Sequence, residues 1–147
     1  MAKSKPIDVQ TIARECLGLR VRVINRVLSS IYDDALRPCG LKVSQLTILV
    51  VIATHGKVRP ADIGAFIQMD NSTLSRNLER MARQGWIEAS DDESDGRARP
   101  VRLAAKGHQA LECAIPRWEE AQRRAQNKLG EAGVNELRSL AARMMEA

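Results

Sequence analysis

A mainly α fold carrying one small β-hairpin is predicted by three features of this 147-residue chain. Hydrophobic residues make up 44% of it and aromatic residues only 3%, a palette of Leu, Ile, Val, Ala and Met that packs helices better than β-sandwiches. Apolar positions recur at steps of three and four along most of the length, the spacing of one helix face. That period is interrupted once, near residues 86–103, by two short alternating runs around a polar tip. The length suits one domain, and the apolar content is enough for a sizeable core. No apolar run approaches the roughly 20 residues that span a bilayer.

From about Asp8 to Leu36, Val9, Ile12, Ala13, Cys16, Val23, Val27, Leu28, Ile31 and Ala35 share one face and predict a single long helix. Such a helix would run about 40 Å, too far for the rest of the chain to cover. Part of its stripe is therefore expected to meet a second copy. Pro38 and Gly40 stop it. Ser44 is the expected cap of a second helix ending at His55 and Gly56, whose run LTILVVIA is apolar nearly all round and so belongs at the centre. RPADIGAFI predicts a short helix with Pro60 in its first turn. MDNSTLSRNLERMARQG predicts another, capped by Asp70 or Asn71 and stopped by Gly85.

Two helices so closely joined form a helix-turn-helix unit. In the second, Leu74, Leu78 and Met81 face inward, leaving Ser72, Thr73, Ser75, Arg76 and Arg80 on the other sides. WIEAS and PVRL are the hairpin strands and DDESDGRAR is their tip; Pro100 confines the second strand to an edge or a strand start. Helical spacing returns from Lys106 through Leu111, Ile115, Trp118, Ala125 and Leu129, with a kink expected at Pro116. A last helix carries Val134, Leu137, Leu140, Ala141 and Met144.

The net charge of +5 favours a polyanionic partner without naming one. It is spread thinly, so nucleic-acid binding must come from positioned side chains rather than from a polybasic block. Cys16, Cys39 and Cys113 are odd in number and widely spaced, unlike a disulfide framework or a zinc site, which points to a reducing compartment. MAKSKPIDVQ has no apolar stretch behind its charges and does not read as a secretory signal. A cytoplasmic protein without metal or cofactor is expected.

A helix-turn-helix followed by a two-stranded hairpin makes a winged helix, whose second helix can enter a major groove while the hairpin reaches the adjacent backbone or minor groove. Small hydroxyls at Ser72, Thr73 and Ser75 permit close approach, and Arg76 reaches a guanine edge or a phosphate. The helix N-terminus itself favours an anion. At the tip, Arg97 and Arg99 stand among acidic residues, and Asp95 is placed to brace Arg97. The bland alternative is an ordinary solvated helix face and a soluble loop.

With these residues in place the chain resembles the multiple antibiotic resistance regulator (MarR) family of bacterial transcription factors. DNSTLSRNLERMARQGWI is similar to that family's recognition helix and following strand. SDGRARPVRLAAKG is similar to its wing, with Asp95 and Arg97 at the Asp-x-Arg positions. The resemblance implies a winged helix-turn-helix protein of one domain over residues 1–147. Residues 8–40 and 106–147 would be long dimerisation helices, and 41–105 a DNA-binding lobe. It implies a homodimeric repressor on a pseudo-palindromic operator of double-stranded DNA. Ser72, Thr73, Ser75 and Arg76 would face the major groove and Arg97 a narrow minor groove, with Arg80 and Arg99 near phosphates. It further implies release by a small phenolic or amphipathic effector, or by oxidation of a cysteine.

Tyr32, His55, Trp118 and Met144 are the side chains available to an effector cleft, although such residues at helical spacing are more often core. Cys16 lies in the first helix, where the hydroperoxide-sensing branch keeps its reactive cysteine, but the register differs and burial is favoured over sensing. The family's wing ends in Leu-Thr-x-x-Gly where this chain has Leu103-Ala104-Ala105-Lys106-Gly107, so the next helix is expected to start without a side-chain cap. Gly64 stands where the family more often has Ala.

Two other classes remain open at this stage. A winged helix that binds protein is supported by the near-neutral middle of the chain. An enzyme is poorly supported, since His55 and His108 are far apart and the sequence has no HExxH, phosphate loop or Gly-rich nucleotide fingerprint.

Overall fold

The computed structural model describes residues 8–91 and 99–146. In chain order these form α1 (Val9–Glu15), α2 (Leu17–Leu36), a 3-10 turn (Arg37–Cys39), α3 (Val43–His55), α4 (Pro60–Ile67), α5 (Asn71–Arg83), β1 (Ile87–Ala89), β2 (Val101–Leu103) and α6 (Ala105–Met145). α3 is the central post. Leu46, Ile48, Leu49 and Ile52 are all buried because α2, α4, β2 and α6 surround it, which is what an element apolar on every side requires. Leu36, Leu41, Ile63, Leu74, Met81, Ile87 and Leu103 complete the core.

β1 and β2 pair antiparallel, with Ile87 opposite Leu103, Glu88 opposite Arg102 and Ala89 opposite Val101. Val58 adds a third rung: its N–H donates to Val101 O at 3.0 Å, and its carbonyl accepts the Val101 N–H at 2.8 Å. β2 thus lies between two partners. Pro100 sits just before it, where a missing N–H costs nothing, and its carbonyl accepts the Ser90 N–H at 2.7 Å.

Four expectations are corrected. The first long helix is two helices, broken at Cys16, whose backbone is extended (φ −62°, ψ 111°). Gly18 weakens the helix there, and the freed groups find new partners: Cys16 Sγ accepts the Leu19 N–H at 3.4 Å and the Arg20 guanidinium donates to Arg14 O. Ser44 does not cap α3; the N-cap is Lys42. Its own N–H donates to Gln45 Oε1 at 3.0 Å, and Asp33 of α2 accepts the Val43 N–H at 2.8 Å. In α6 the helical torsions are interrupted at Gly130 (φ 71°, ψ 165°), not at Pro116, which lies on the exposed face. Finally, Cys39 and Cys113 form a disulfide with Cα atoms 5.9 Å apart. Packing of α6 on the 3-10 turn brings them together, which their 74-residue separation gave no means of seeing. Cys113 is exposed, and Cys16 is the free, half-buried cysteine.

The start of α6 follows the expectation for an uncapped helix: Ala104 is the N-cap and contributes no side-chain bond. Ala104 N–H instead donates to Trp86 O at 3.0 Å. The same carbonyl lies only 2.0 Å from where a Cβ on Gly107 would be. Glycine is obligatory there. Gly107→Ala is expected to cost at least about 2 kcal/mol through backbone displacement. Ala104→Thr should add about 1 kcal/mol by supplying the missing cap. Urea unfolding of both variants checks the pair.

Candidate nucleic-acid interface

α4 and α5 meet through a short turn in which Gln68 is left-handed (φ 53°) and Met69 N–H donates to Gly64 O at 3.1 Å. A Cβ at Gly64 would meet Leu74 Cδ2 and Met69 O at 3.4 Å, an ordinary contact, so α5 packs here at a distance that an alanine also tolerates. Leu74 and Met81 are buried and Leu78 is half-buried, so the inward face of α5 is as expected. The outward face is set by this anchoring: Ser72, Ser75, Arg76 and Arg80 are exposed and Thr73 is half-buried.

Asp70 organises the N-terminal end of α5. Its carboxylate accepts the Thr73 N–H at 2.9 Å, the Ser72 hydroxyl at 2.7 Å and the Thr73 hydroxyl at 2.6 Å. These three bonds, with the Arg76 charge beside them, hold the carboxyl well below the usual carboxylate range. Ser72 and Thr73 therefore spend their protons inside the protein. Ser75, Arg76 and Arg80 make no hydrogen bond or ion pair among the described residues, and α5 carries three arginines against one glutamate. Exposed guanidiniums along one face of α5, of which only that of Arg76 acts on Asp70, suit an anion.

Asp95 and Arg97 lie outside the described residues. Arg99 is exposed at the start of the returning chain. Below it, Arg102 Nε donates to Glu88 Oε1 at 2.9 Å across the paired strands. Arg102 is not among the residues expected from the sequence, although the antiparallel register of the two runs places it opposite Glu88. Cys16 sits apart from all of these, in the arm.

A cavity of about 470 Å³ lies between the arm and the lobe, lined by Tyr32, Val43, Leu46, Thr47, Val50, Leu111, Ile115 and Trp118. Tyr32 and Trp118 are in it as expected. Burial pushes the Tyr32 phenol above its ordinary value, and its hydroxyl donates to Gln122 Oε1. His55 and Met144 are elsewhere: His55 stacks on Phe66 at 4.7 Å and contacts Val51 O, and Met144 is exposed.

Because the folded Asp70 value is depressed, its contribution to stability is complete above the ordinary value of 3.8 and declines as pH falls through the lower folded value. Wild type is expected to be more stable than Asp70→Ala at neutral pH. The gap should narrow steadily below about pH 4 when thermal unfolding is followed across pH. A gap unchanged down to pH 2 would remove the ionised cap.

A model of the MarR family matches residues 40–98. The multiple antibiotic resistance protein MarR of Salmonella typhimurium is 26% identical over 91 residues, 62% of this chain and 63% of that protein. The chain thus aligns with less than two thirds of that relative's length. The M. tuberculosis transcriptional regulator MosR, solved in complex with DNA, is 32% identical with a TM-score of 0.78, covering 90% of this chain and 95% of that one. Another structure of the same regulator is 31% identical with a TM-score of 0.74, covering 90% and 98%. With its helix-turn-helix, its hairpin and its flanking helical arms, the chain belongs to the MarR family.

Proposed function

We propose that the protein is a homodimeric, ligand-responsive transcriptional repressor of the cytoplasm that binds a pseudo-palindromic DNA operator and has no catalytic activity. The observation that carries this proposal is the exposed face of α5, where Ser75, Arg76 and Arg80 stand beyond the Asp70 cap with no side-chain hydrogen bond or salt bridge among the described residues. α5 enters the major groove with Ser72, Thr73, Ser75 and Arg76 against it, and Arg80 lies near a phosphate. The wing brings Arg97, braced by Asp95, to the minor groove and Arg99 to the backbone. The likeness of the chain to MosR solved in complex with DNA, 32% identical over 90% of this chain with a TM-score of 0.78, supports this reading.

Dimerisation is supported by the arms. Val9, Ile12, Leu17, Leu19, Val21 and Val23 near one end, and Leu137, Leu140, Met144 and Met145 near the other, are all exposed in the single chain. That is far more apolar surface than an isolated soluble domain leaves uncovered. Residues 8–40 and 106–147 would then intertwine with their counterparts, with 41–105 as the lobe. The cavity beside Tyr32 and Trp118 suits a small phenolic or amphipathic effector, because its wall is apolar apart from Tyr32 and Thr47. An effector that prefers another separation than the one helical turn of about 34 Å between recognition helices lowers operator affinity.

Fluorescence anisotropy on a duplex covering the promoter of the protein's own gene tests this at two salt concentrations with unlabelled competitor. Binding is expected to be sequence-selective and to weaken steeply with salt. Arg76→Ala and Arg97→Ala should each cost about 1–3 kcal/mol of operator affinity. Absent or unselective binding would favour a winged helix that docks on protein, consistent with the near-neutral middle of the chain.

A further inference from the structure

The rung that Val58 adds beside β2 also fixes the direction in which the chain leaves it. Val58 pairs antiparallel with Val101, and the tip of the hairpin joins β1 to β2 at the Ala89 and Val101 end. The next residue, Arg59, therefore runs toward that same end, where the register sets it level with Pro100 and next to Arg99. Its backbone is extended (φ −75°, ψ 144°), and it is the N-cap of α4. One residue thus belongs to the edge of the wing and to the start of the helix-turn-helix.

Alternation turns the Arg59 side chain away from the face of buried Val58, to the outward face that carries Glu88 and Arg102. Arg59 is exposed, and its guanidinium makes no hydrogen bond or salt bridge among the described residues and does not cap α4. Asp62 in the first turn of α4 and Asp91 beyond β1 are not bonded to it. Arg102 differs, because its charge is answered by Glu88 at 2.9 Å. Two arginines from different elements, Arg59 and Arg99, are therefore left exposed at the tip end of the wing.

We propose that Arg59 is a phosphate-contacting residue of the operator complex, gripping the backbone strand that runs between the groove entered by α5 and the wing; the inference rests on the DNA-binding function proposed above. The residue opens the helix-turn-helix and is held to β2 by the preceding rung, so its contact sets how both elements sit on one backbone strand. Such a contact fixes register and carries no sequence information. Arginine suits the role because its planar fork meets two phosphate oxygens at once.

Anisotropy titrations of full-length wild type, Arg59→Ala and Arg59→Lys across a salt series test this, on the promoter duplex and on an unrelated duplex. Loss of one phosphate contact makes log affinity fall less steeply with log salt, by about 0.9 in slope. Arg59→Ala is expected to show that change and to bind about fivefold more weakly near 0.1 M salt. The loss should be equal on both duplexes, so selectivity is kept. Arg59→Lys should keep most of the slope. Because the side chain is exposed and bonds nothing described, the melting temperature of Arg59→Ala should match wild type.

Single neutral methylphosphonates stepped along the duplex give a readout that a structural role does not move. At one position wild type weakens, and Arg59→Ala shows no further loss. An unchanged salt slope in Arg59→Ala, a loss confined to the promoter duplex, or no methylphosphonate position at which the two losses overlap overturns the proposal. Wild type that binds no duplex overturns the DNA-binding function and this inference with it. Wild type that binds selectively while Arg59→Ala behaves like it overturns this inference alone.

Discussion

Packing of α6 along α2 joins the lobe to the arms, and alanine makes that contact possible. Ala110, Ala114, Ala121 and Ala125 are buried at spacings of four, seven and four residues, a stripe of small side chains on one face that lets two helix axes approach closely. Tyr32 reaches across the same seam to Gln122. At its lobe end α6 is pinned again, where Gly107 meets the Trp86 carbonyl with no room for a side chain. A single helix is therefore fixed against the strands at one end and against the arm further along. The position of the recognition helix relative to the arms follows from how α6 is seated at both places.

Much of this was legible in the sequence where the cause is local. The Asp70 cap, the Gly56 and Gly85 stops, the inward set of Leu74 and Met81, and the uncapped start at Ala104 are each decided by residues within one or two turns. Expectations failed where the cause is tertiary. Asp33 caps α3 from another helix, Val58 bridges β2 as a single residue without alternation, and Cys39 finds Cys113 where the 3-10 turn packs on α6. At the site, the exposed positions of α5 were readable from period alone. Capture of Ser72 and Thr73 by Asp70 is signalled by hydroxyls two and three residues after an aspartate, a pattern that competes for side-chain protons beyond the cap itself.

The two ends of the chain differ in character from its middle. The lobe buries most of its large apolar residues within itself, Val50 and Phe66 excepted, while α1, the first half of α2 and the last turns of α6 leave theirs outside. No single helix among the described residues is long and apolar enough to cross a membrane. An apolar arm of this kind gains most of its stability from what covers it, since helix propensity alone holds short segments weakly. Breaks at Cys16 and Gly130 fall within these arms and leave the core of the lobe intact, so an arm can adjust its course without repacking α3.

The carboxylate at the head of α5 also decides what its neighbours can offer a duplex. While Ser72 and Thr73 give their protons to Asp70, only oxygen lone pairs point outward. Phosphate oxygens, which have nothing but lone pairs themselves, are poor company for them. The exocyclic amines of adenine and cytosine in a major groove are the complementary groups. In the proposed complex the head of this helix would suit amine-bearing base edges, and the grip on the sugar–phosphate chain would fall to the arginines further along.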